Sequence, residues 1–511
     1  MTNKNDNEEN ASVIGSTPVS NDLIKRGRSN NKIKNDEDLK IKEQNRYEVI
    51  VVGAGVGGYV CAIRCAQLGL KTLVVEKENY GGVCLNKGCI PTKALLKSSK
   101  IYSSLLHSTQ EFGITLDVKS VKADWEKIQE RKNDIVNKLT GGVKALLKKN
   151  KIDFVKGTAK AVNKNTIQID SEIYWADNLV IATGSVPNGM KTKGYESAFE
   201  NDFVIDSTKA LSLPKIPKSI IIIGGGVIGI EFASIYKNLG SKVTILQFLP
   251  TILEMLDSDV AKEMTKQLLK DGNVEIITNA ETLEFKNNSV VFKQLEEVKE
   301  ISADYCLVSV GRKTVTTGFE DINLKITNRN HIEVNDYCET NIEDVFAIGD
   351  VTGKVMLAHV ASHQGIIVAN RIAKKMKKPL WEDKKMHYDR IPSCVYTKPE
   401  IAFVGLTEDQ VKKDGLDYLT YSFPFQAIGK ALTDGDPTGF VKLICQRDNK
   451  KILGAHIISD NATEMISEIT AVMESEGTIS EIANSIHPHP TLSEAMGEAA
   501  IALEYGKPIN F

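Results

Sequence analysis

Tyr47-Glu-Val-Ile-Val-Val-Gly-Ala-Gly-Val-Gly-Gly58 decides how this chain is read. The first six residues form an apolar, β-branched run, the mark of a buried strand. Gly53, Gly55 and Gly58 then turn it into a helix predicted over Tyr59–Leu68. Gly69 ends that helix, and Lys71-Thr-Leu-Val-Val-Glu76 is the next strand. Together these make a βαβ unit. In such a unit the first glycine makes the tight turn, the second lets a pyrophosphate approach the backbone, and the third lets helix pack on strand. The phosphate sits on the helix N-terminus. Glu76 lies 23 residues past Gly53, placed to accept hydrogen bonds from a ribose. A glycine pattern alone is a weak signal; one with strand, helix, strand and terminal acid is strong.

The same unit recurs. Ser219-Ile-Ile-Ile-Ile223 is a strand, Gly224, Gly226 and Gly229 are the fingerprint, and Lys242–Leu246 is the second strand after a helix to Leu239. Gln247 stands where Glu76 stood, again 23 residues past the first glycine. Two dinucleotide sites imply two cofactors used in series, one bound and one a diffusing nicotinamide. A carboxylate at the strand end favours NAD, and a nearby Arg favours NADP. Gln247 is neutral and Phe248–Ile252 contains no cation. Gln can still hydrogen-bond ribose hydroxyls, so NAD is expected, with weaker discrimination than an acid gives.

Between the two units lies Gly81-Gly-Val-Cys-Leu-Asn-Lys-Gly-Cys-Ile-Pro-Thr-Lys93. Cys84 and Cys89 are five apart. On an ideal helix that spacing means about 7.5 Å of rise and roughly 140° of rotation, so the Cα atoms lie about 8.6 Å apart. A disulfide needs less than about 7 Å. Either the thiols never bridge or the helix is distorted, and Gly81, Gly82 and Gly88 can supply the distortion. A strained bridge is easily reduced. The alternative is a pair of ordinary core cysteines. Beside a dinucleotide fingerprint, the pair reads as a redox dithiol.

At 511 residues the chain has room for three domains. A net charge of -2 offers no basic field for nucleic acid or a membrane surface. Eight cysteines in so long a chain are not a disulfide framework. Cys61, Cys65, Cys306, Cys338, Cys394 and Cys445 fall in apolar stretches and are expected to be reduced core residues, in a reducing compartment. Residues 1–45 are polar and mixed in charge, without a secretory pattern, and read as a disordered tail. The longest apolar runs, Val49–Ile63 and Ile220–Ile230, are studded with glycine and too short to span a bilayer. A soluble cytoplasmic protein is expected.

Shorter signals follow. Leu179–Ser185 is a strand ending in small residues, and Val345–Asp350 is another, with Met356-Leu-Ala-His359 opening a helix. A strand-terminal Asp suits cofactor hydroxyls, though each could be ordinary strand-to-loop chemistry. From about Tyr388 the glycine fingerprint disappears and an α+β domain is expected. Near its end stands His487-Pro-His-Pro-Thr-Leu-Ser-Glu494. Prolines hold this loop rigid, and a carboxylate orienting His489 would make it a general base. A structural histidine is the alternative. No metal is expected, because no further Cys or His lies at ligand spacing.

In this order, the glycine fingerprint, Gly-Gly-x-Cys-x-x-x-x-Cys-Ile-Pro-x-Lys, the second fingerprint, Ala-x-Gly-Asp and His-Pro-Thr-x-x-x-Glu resemble the flavoprotein disulfide reductases. The resemblance runs from about Tyr47 to Phe511 and is nearest to the branch that oxidises dihydrolipoamide for 2-oxo acid dehydrogenase complexes. It implies an α/β fold: two Rossmann-like domains with three-layer parallel sheets, and a C-terminal α+β dimerisation domain. The divisions expected are a tail at 1–45, an FAD-binding domain at 46–190 and 312–386, an NAD-binding domain at 191–311, and a dimerisation domain at 387–511. FAD would be held by Gly53, Gly55, Gly58, Glu76, Lys93, Gly157, Thr183, Gly184, Ser185, Asp350 and the turn Met356, Leu357, Ala358 and His359. NAD would use Gly224, Gly226, Gly229, Gln247 and Gly311. Glu231 would pair with Lys93. Cys84 would exchange with substrate and Cys89 would face the flavin. His489 and Glu494 would come from the other subunit of a homodimer, and the lipoyl group from a lipoyl-bearing acyltransferase (E2).

Two departures stand out. Gln247 replaces the usual acid, and Lys313-Thr-Val315 follows Gly311-Arg312 where the family commonly has x-Pro-Asn. The rival readings are a glutathione or mercuric reductase, or a non-catalytic flavin-binding assembly protein. Cys445 is the last cysteine, so a C-terminal redox pair is missing. Cations after Leu246 that would suit NADP are missing too.

Overall fold

The computed structural model describes residues 41–379 and 382–510. Residues 1–40 of the expected tail lie outside them. Glu43–Asn45 already form a 3-10 turn, and buried Asn45 donates from Nδ2 to Ile173 O at 3.1 Å. Residues 41–45 of the stretch read as tail are thus part of the described structure.

Strand Arg46–Val52 pairs in parallel with Thr72–Glu76 on one side and Glu172–Ile181 on the other. Val49, Ile50 and Val51 are fully buried, as in a strand covered on both faces. Each such side chain contributes on the order of 1.5–3 kcal/mol by leaving water. Asp153–Lys156 extends the sheet beyond Thr72–Glu76, and Val345–Ala347 joins Glu172–Ile181, both in parallel. Thr166–Ile169 and Ala159–Ala161 add an antiparallel flank, giving seven strands among the described residues. The first sheet is therefore mixed rather than all parallel. The ten-residue strand Glu172–Ile181 makes this possible: its start pairs with the flank and its end with Val345–Ala347.

The second sheet is parallel throughout. Its order is Val274–Ile277, Lys242–Leu246, Ser219–Ile223, Tyr305–Val308, Val204–Ile205. An antiparallel meander, Ala280–Phe285, Ser289–Gln294 and Glu297–Ser302, packs beside it. Arg312–Thr314 then runs antiparallel to Ser185–Pro187, where the chain returns to the first unit. Thr314 occupies this ladder opposite Ser185, and Val315 N–H donates to Gly184 O at 3.0 Å. Lys313 and Thr314 thus belong to a short strand here, and Val315 follows it.

The C-terminal sheet is antiparallel: Ser393–Val395, Glu400–Gly405, Ile452–Ser459, Phe440–Gln446, Tyr418–Pro424. Helices Ala462–Glu474 and Glu494–Tyr505 bury their apolar faces in the same core as its strands. Among the described residues no helix is long and apolar enough to cross a membrane.

Candidate active site

Both glycine loops open on one cavity of about 2390 Å³. A drug-sized ligand fills about 300–1,000 Å³, so the space suits more than one extended molecule. In the first loop Gly53 has φ +108°, and a Cβ there would lie 2.3 Å from Ala182 O. A Cβ on Gly58 would lie 1.8 Å from Gly53 O. Gly55 differs: the nearest atom to its Cβ position is 3.9 Å away, so its backbone faces the cavity. The helix that follows, Val56–Gln67, has no side-chain cap and leaves its first N–H groups to an anion. Its close crossing with Ala358–Lys375 sets the Met356–His359 turn at the same rim; a Cβ on Gly365 would stand 2.6 Å from Gly57 O. Glu76 Oε2 accepts from Ala54 N–H at 2.8 Å and Oε1 from Glu78 N–H at 2.7 Å.

At the far side Ser185 Oγ donates to Asp350 Oδ2. Arg312 donates from Nε to Ser185 Oγ at 2.7 Å and from Nη2 to Ser185 O at 2.8 Å. Sequence reading gave Arg312 no role; the cue was an arginine directly after Gly311. Gly157, Thr183, Gly184 and Gly311 also line the cavity. His359 is pushed below the ordinary imidazole range by desolvation of its ring, while its Nε2 donates to Pro392 O at 2.8 Å.

The second loop repeats the first. Gly224 has φ +104° with Ser309 O 2.6 Å from its Cβ position. A Cβ on Gly229 would lie 2.1 Å from Gly224 O, while Gly226 has open space. Gly229 is the one glycine of this fingerprint that does not line the cavity. Its place is at the contact between helix and loop. Gln247 Oε1 accepts from Gly225 N–H at 3.0 Å, as Glu76 does from Ala54.

The thiols sit between the loops. Helix Gly82–Lys87 stops at Gly88, and a new helix, Cys89–His107, starts there. The break lets residues five apart meet. Gly88 is tightly packed: a Cβ would be 3.2 Å from Val83 O and 3.3 Å from Val83 Cγ1. Cys84 and Cys89 are free thiols in hydrogen-bond contact. Cys84 donates to the Cys89 sulfur, and this, with Lys93 nearby, outweighs burial and brings the Cys89 thiol down to about 7. Cys84 is pushed up, first by committing its proton to Cys89 and then by burial. Lys93 Nζ lies 2.8 Å from both carboxylate oxygens of buried Glu231. Tyr396 N–H donates to Glu231 Oε1 at 3.1 Å, and Lys93 Nζ sits 4.4 Å from the Tyr396 ring centroid. Tyr396 was invisible in the sequence because it comes from the C-terminal domain. Cys394, expected in the core, is instead half-buried and lines this cavity. It lies in the three-residue strand Ser393–Val395, whose inward alternate is Val395.

His489 and Glu494 do not line the cavity of their own chain. His489 Nδ1 bonds Glu494 Oε1 at 2.8 Å, and Glu494 Oε2 accepts from Thr491 N–H at 2.9 Å. Burial raises the Glu494 carboxyl, but bonds from His489 and Thr491 win and hold it below its usual range. The imidazole is 79% exposed and its carboxylate 26%, so the ring's other nitrogen is presented outward. His487 is committed elsewhere, 2.9 Å from Glu468. Among the described residues no cluster of His, Cys, Asp or Glu is arranged to hold a metal ion.

Residues 47–365 match the family described as pyridine nucleotide-disulphide oxidoreductase, and residues 391–500 match the dimerisation domain of that family. A dihydrolipoyl dehydrogenase of Geobacillus stearothermophilus is 44% identical over 474 residues, covering 91% of this chain and 97% of that protein. One from Mycoplasma pneumoniae is 43% identical over 453 residues, covering 88% and 97%. Among solved structures, the Cu(II) complex of the HOCl-induced flavoprotein disulfide reductase RclA from Escherichia coli superposes with a TM-score of 0.78 at 28% identity, covering 89% of this chain and 99% of that one.

Proposed function

We propose an electron path from one premise: this chain belongs to the pyridine nucleotide-disulphide oxidoreductase family. It oxidises dihydrolipoamide and reduces NAD⁺, as a dihydrolipoyl dehydrogenase does. The observation that carries this reading is the Cys84–Cys89 contact in the wall of a cavity that both glycine loops share.

The residues fit FAD in the first unit: the open backbone at Gly55, the uncapped helix behind it, Glu76 held by two N–H groups, and Asp350 held by Ser185. Bound there, FAD supplies the two-electron relay between the dithiol and NAD⁺. Lys93, fixed by Glu231, keeps a positive charge beside Cys89 and so favours its thiolate.

His489 of the partner subunit takes a proton from one dihydrolipoamide thiol, since the thiolate is the nucleophile. Glu494 keeps the imidazole in the required tautomer. The substrate thiolate attacks Cys84 Sγ in the oxidised pair, and the Cys84–Cys89 bond breaks with Cys89 leaving as thiolate. The second substrate thiol attacks the substrate sulfur of the mixed disulfide and its proton passes to Cys84; the bond to Cys84 breaks, lipoamide leaves, and the enzyme is left with a Cys84 thiol and a Cys89 thiolate. One substrate dithiol is oxidised and one enzyme disulfide reduced. The chain carries the family's dimerisation domain, and the outward His489 supports a homodimer whose sites each draw on both subunits.

The domain limits we assign are 46–190 with 312–386 for FAD, 191–311 for NAD and 387–511 for dimerisation; the sheets described above support them. We further assign a lipoyl-bearing acyltransferase (E2) as partner and the cytoplasm as location.

The test is NADH formation by the purified flavoprotein from dihydrolipoamide and NAD⁺, with glutathione and NADP⁺ as alternatives. Turnover is expected with the first pair. Faster turnover with glutathione and NADP⁺ would overturn the reading. His489→Gln should lower turnover by about 10²–10⁴-fold, the usual share of a general base, with flavin still bound.

A further inference from the structure

At the strand end that braces each glycine loop, the two units differ by one side-chain atom, an oxygen in Glu76 and a nitrogen in Gln247. Glu76 accepts with both oxygens, whereas Gln247 accepts with one atom and donates with the other. Gln247 Nε2 donates to Thr251 O at 3.1 Å and approaches Glu254 Oε2 at 3.5 Å. A carboxylate at 247 would turn an oxygen toward that carbonyl and that second carboxylate. An amide donor is what these neighbours call for.

The backbone keeps Glu254 at this spot. Leu253 adopts φ 52°, a left-handed conformation rare for a bulky residue. Its N–H donates to Gly225 O at 2.9 Å, and its side chain is fully buried. Ile252, also buried, packs against the same loop, with Cγ2 only 2.7 Å from the Cβ position of Gly225. Glu254 follows directly and is exposed at the cavity rim. The residues from 246 to 282 that line the cavity include two acids, Glu254 and Glu281, and no lysine or arginine.

We propose that Glu254 is the specificity-determining residue for the nicotinamide dinucleotide. It supplies the negative charge that neutral Gln247 lacks, and so excludes a 2′-phosphate while leaving an unphosphorylated ribose unopposed. The inference rests on reading the second loop as an NAD site. A phosphate monoester carries roughly −1.5 to −2 charges at neutral pH, and a like charge set against the wrong ligand is an economical route to discrimination. Gln247 holds the loop and Glu254 holds the charge, two roles that Glu76's position combines in a single residue.

Calorimetric titration of the purified flavoprotein with ADP-ribose and with 2′-phospho-ADP-ribose reads this without turnover. The wild type should bind ADP-ribose more tightly. Glu254→Gln should strengthen 2′-phospho-ADP-ribose about tenfold and change ADP-ribose by less than about threefold. Glu254→Asp keeps the charge and should keep the preference, and a melting temperature of Glu254→Gln equal to that of the wild type shows that a loss in that variant is not misfolding. An unchanged affinity ratio in Glu254→Gln overturns the assignment and leaves the NAD reading intact. Failure of the wild type to bind either compound overturns both.

Discussion

Cys84 and Cys89 differ before any substrate arrives. Cys89 is the first residue of the 19-residue helix Cys89–His107, where the positive end of the helix dipole favours a thiolate. It also accepts a hydrogen bond from the Cys84 thiol and faces Lys93. Cys84, in the six-residue helix Gly82–Lys87, has weaker helix-end support and keeps its proton. In the dithiol form a single thiolate should therefore grow in with an apparent pKa of about 7. Ultraviolet thiolate absorbance checks this, and Cys84→Ala should raise the value by about one unit or more, since the largest lowering influence is gone. The sign of the stability effect follows. The Cys89 pKa is lower in the folded chain than the ordinary 9.0, so its contribution is complete above that pH and is lost as pH falls through about 7. At this scale the sequence was informative about identity and silent about neighbours. The dithiol and the His489–Glu494 motif could be picked out from spacing, and Lys93 came from the family resemblance; Arg312 and Tyr396 could not be found, because their partners are 127 and 165 residues away.

Among elements, the first glycine loop separates folding from binding. Gly58 has an oxygen 1.8 Å from where a Cβ would go, whereas Gly55 has nothing nearer than 3.9 Å. Gly58→Ala should cost about 1–3 kcal/mol by overpacking, seen as a lower melting temperature. Gly55→Ala should melt as the wild type does yet retain much less flavin, seen in its visible absorbance after gel filtration. Equal flavin content in both variants would refute the division of roles. The two βαβ units were readable because strand, glycine loop and helix are local. Helix Trp125–Lys149 was not, because of its 25 residues only Lys132, Val143 and Leu147 are buried. Its anchor is tertiary: Lys132 Nζ donates to Leu211 O and Ser212 Oγ, each at 2.9 Å.

At the scale of the whole molecule, a charge cluster around buried Lys442 ties the second sheet's unit to the C-terminal sheet. Lys442 Nζ lies 2.9 Å from Asp257, 2.7 Å from Asp259 and 2.7 Å from Glu408. Lys442→Met would leave buried Asp257 without its cation and deprive Asp259 and Glu408 of one of theirs, and should destabilise the protein by about 3–5 kcal/mol, measured by denaturant unfolding. Burial pushes the Glu408 carboxyl up, but bonds from Lys412, Lys442 and Tyr418 prevail and bring it down to about 2. Its contribution is thus present above the ordinary 4.5 and lost as pH falls toward 2, so Lys442→Met should show a shallower acid dependence. The dimer makes its own prediction. Cys84→Ala and His489→Gln are each inactive, but a dimer with one subunit of each has one intact site. Random exchange should restore about a quarter of wild-type activity if the sites are shared across a two-fold axis. No recovery on mixing would place His489 in its own subunit's site.

The sequence alone determined what is local: two glycine loops on strands, a dithiol whose spacing requires a broken helix, and a histidine five residues before its carboxylate. Each is written in contiguous residues, and short-range sterics and hydrogen bonds fix its geometry. Only the tertiary structure decided that both loops share one cavity, that Tyr396 backs the Lys93–Glu231 pair, that Cys394 faces the cavity, and that Glu254 stands beside Gln247. Those are contacts between distant segments or across a folded loop, set by how the sheets pack, and no spacing in the chain encodes them.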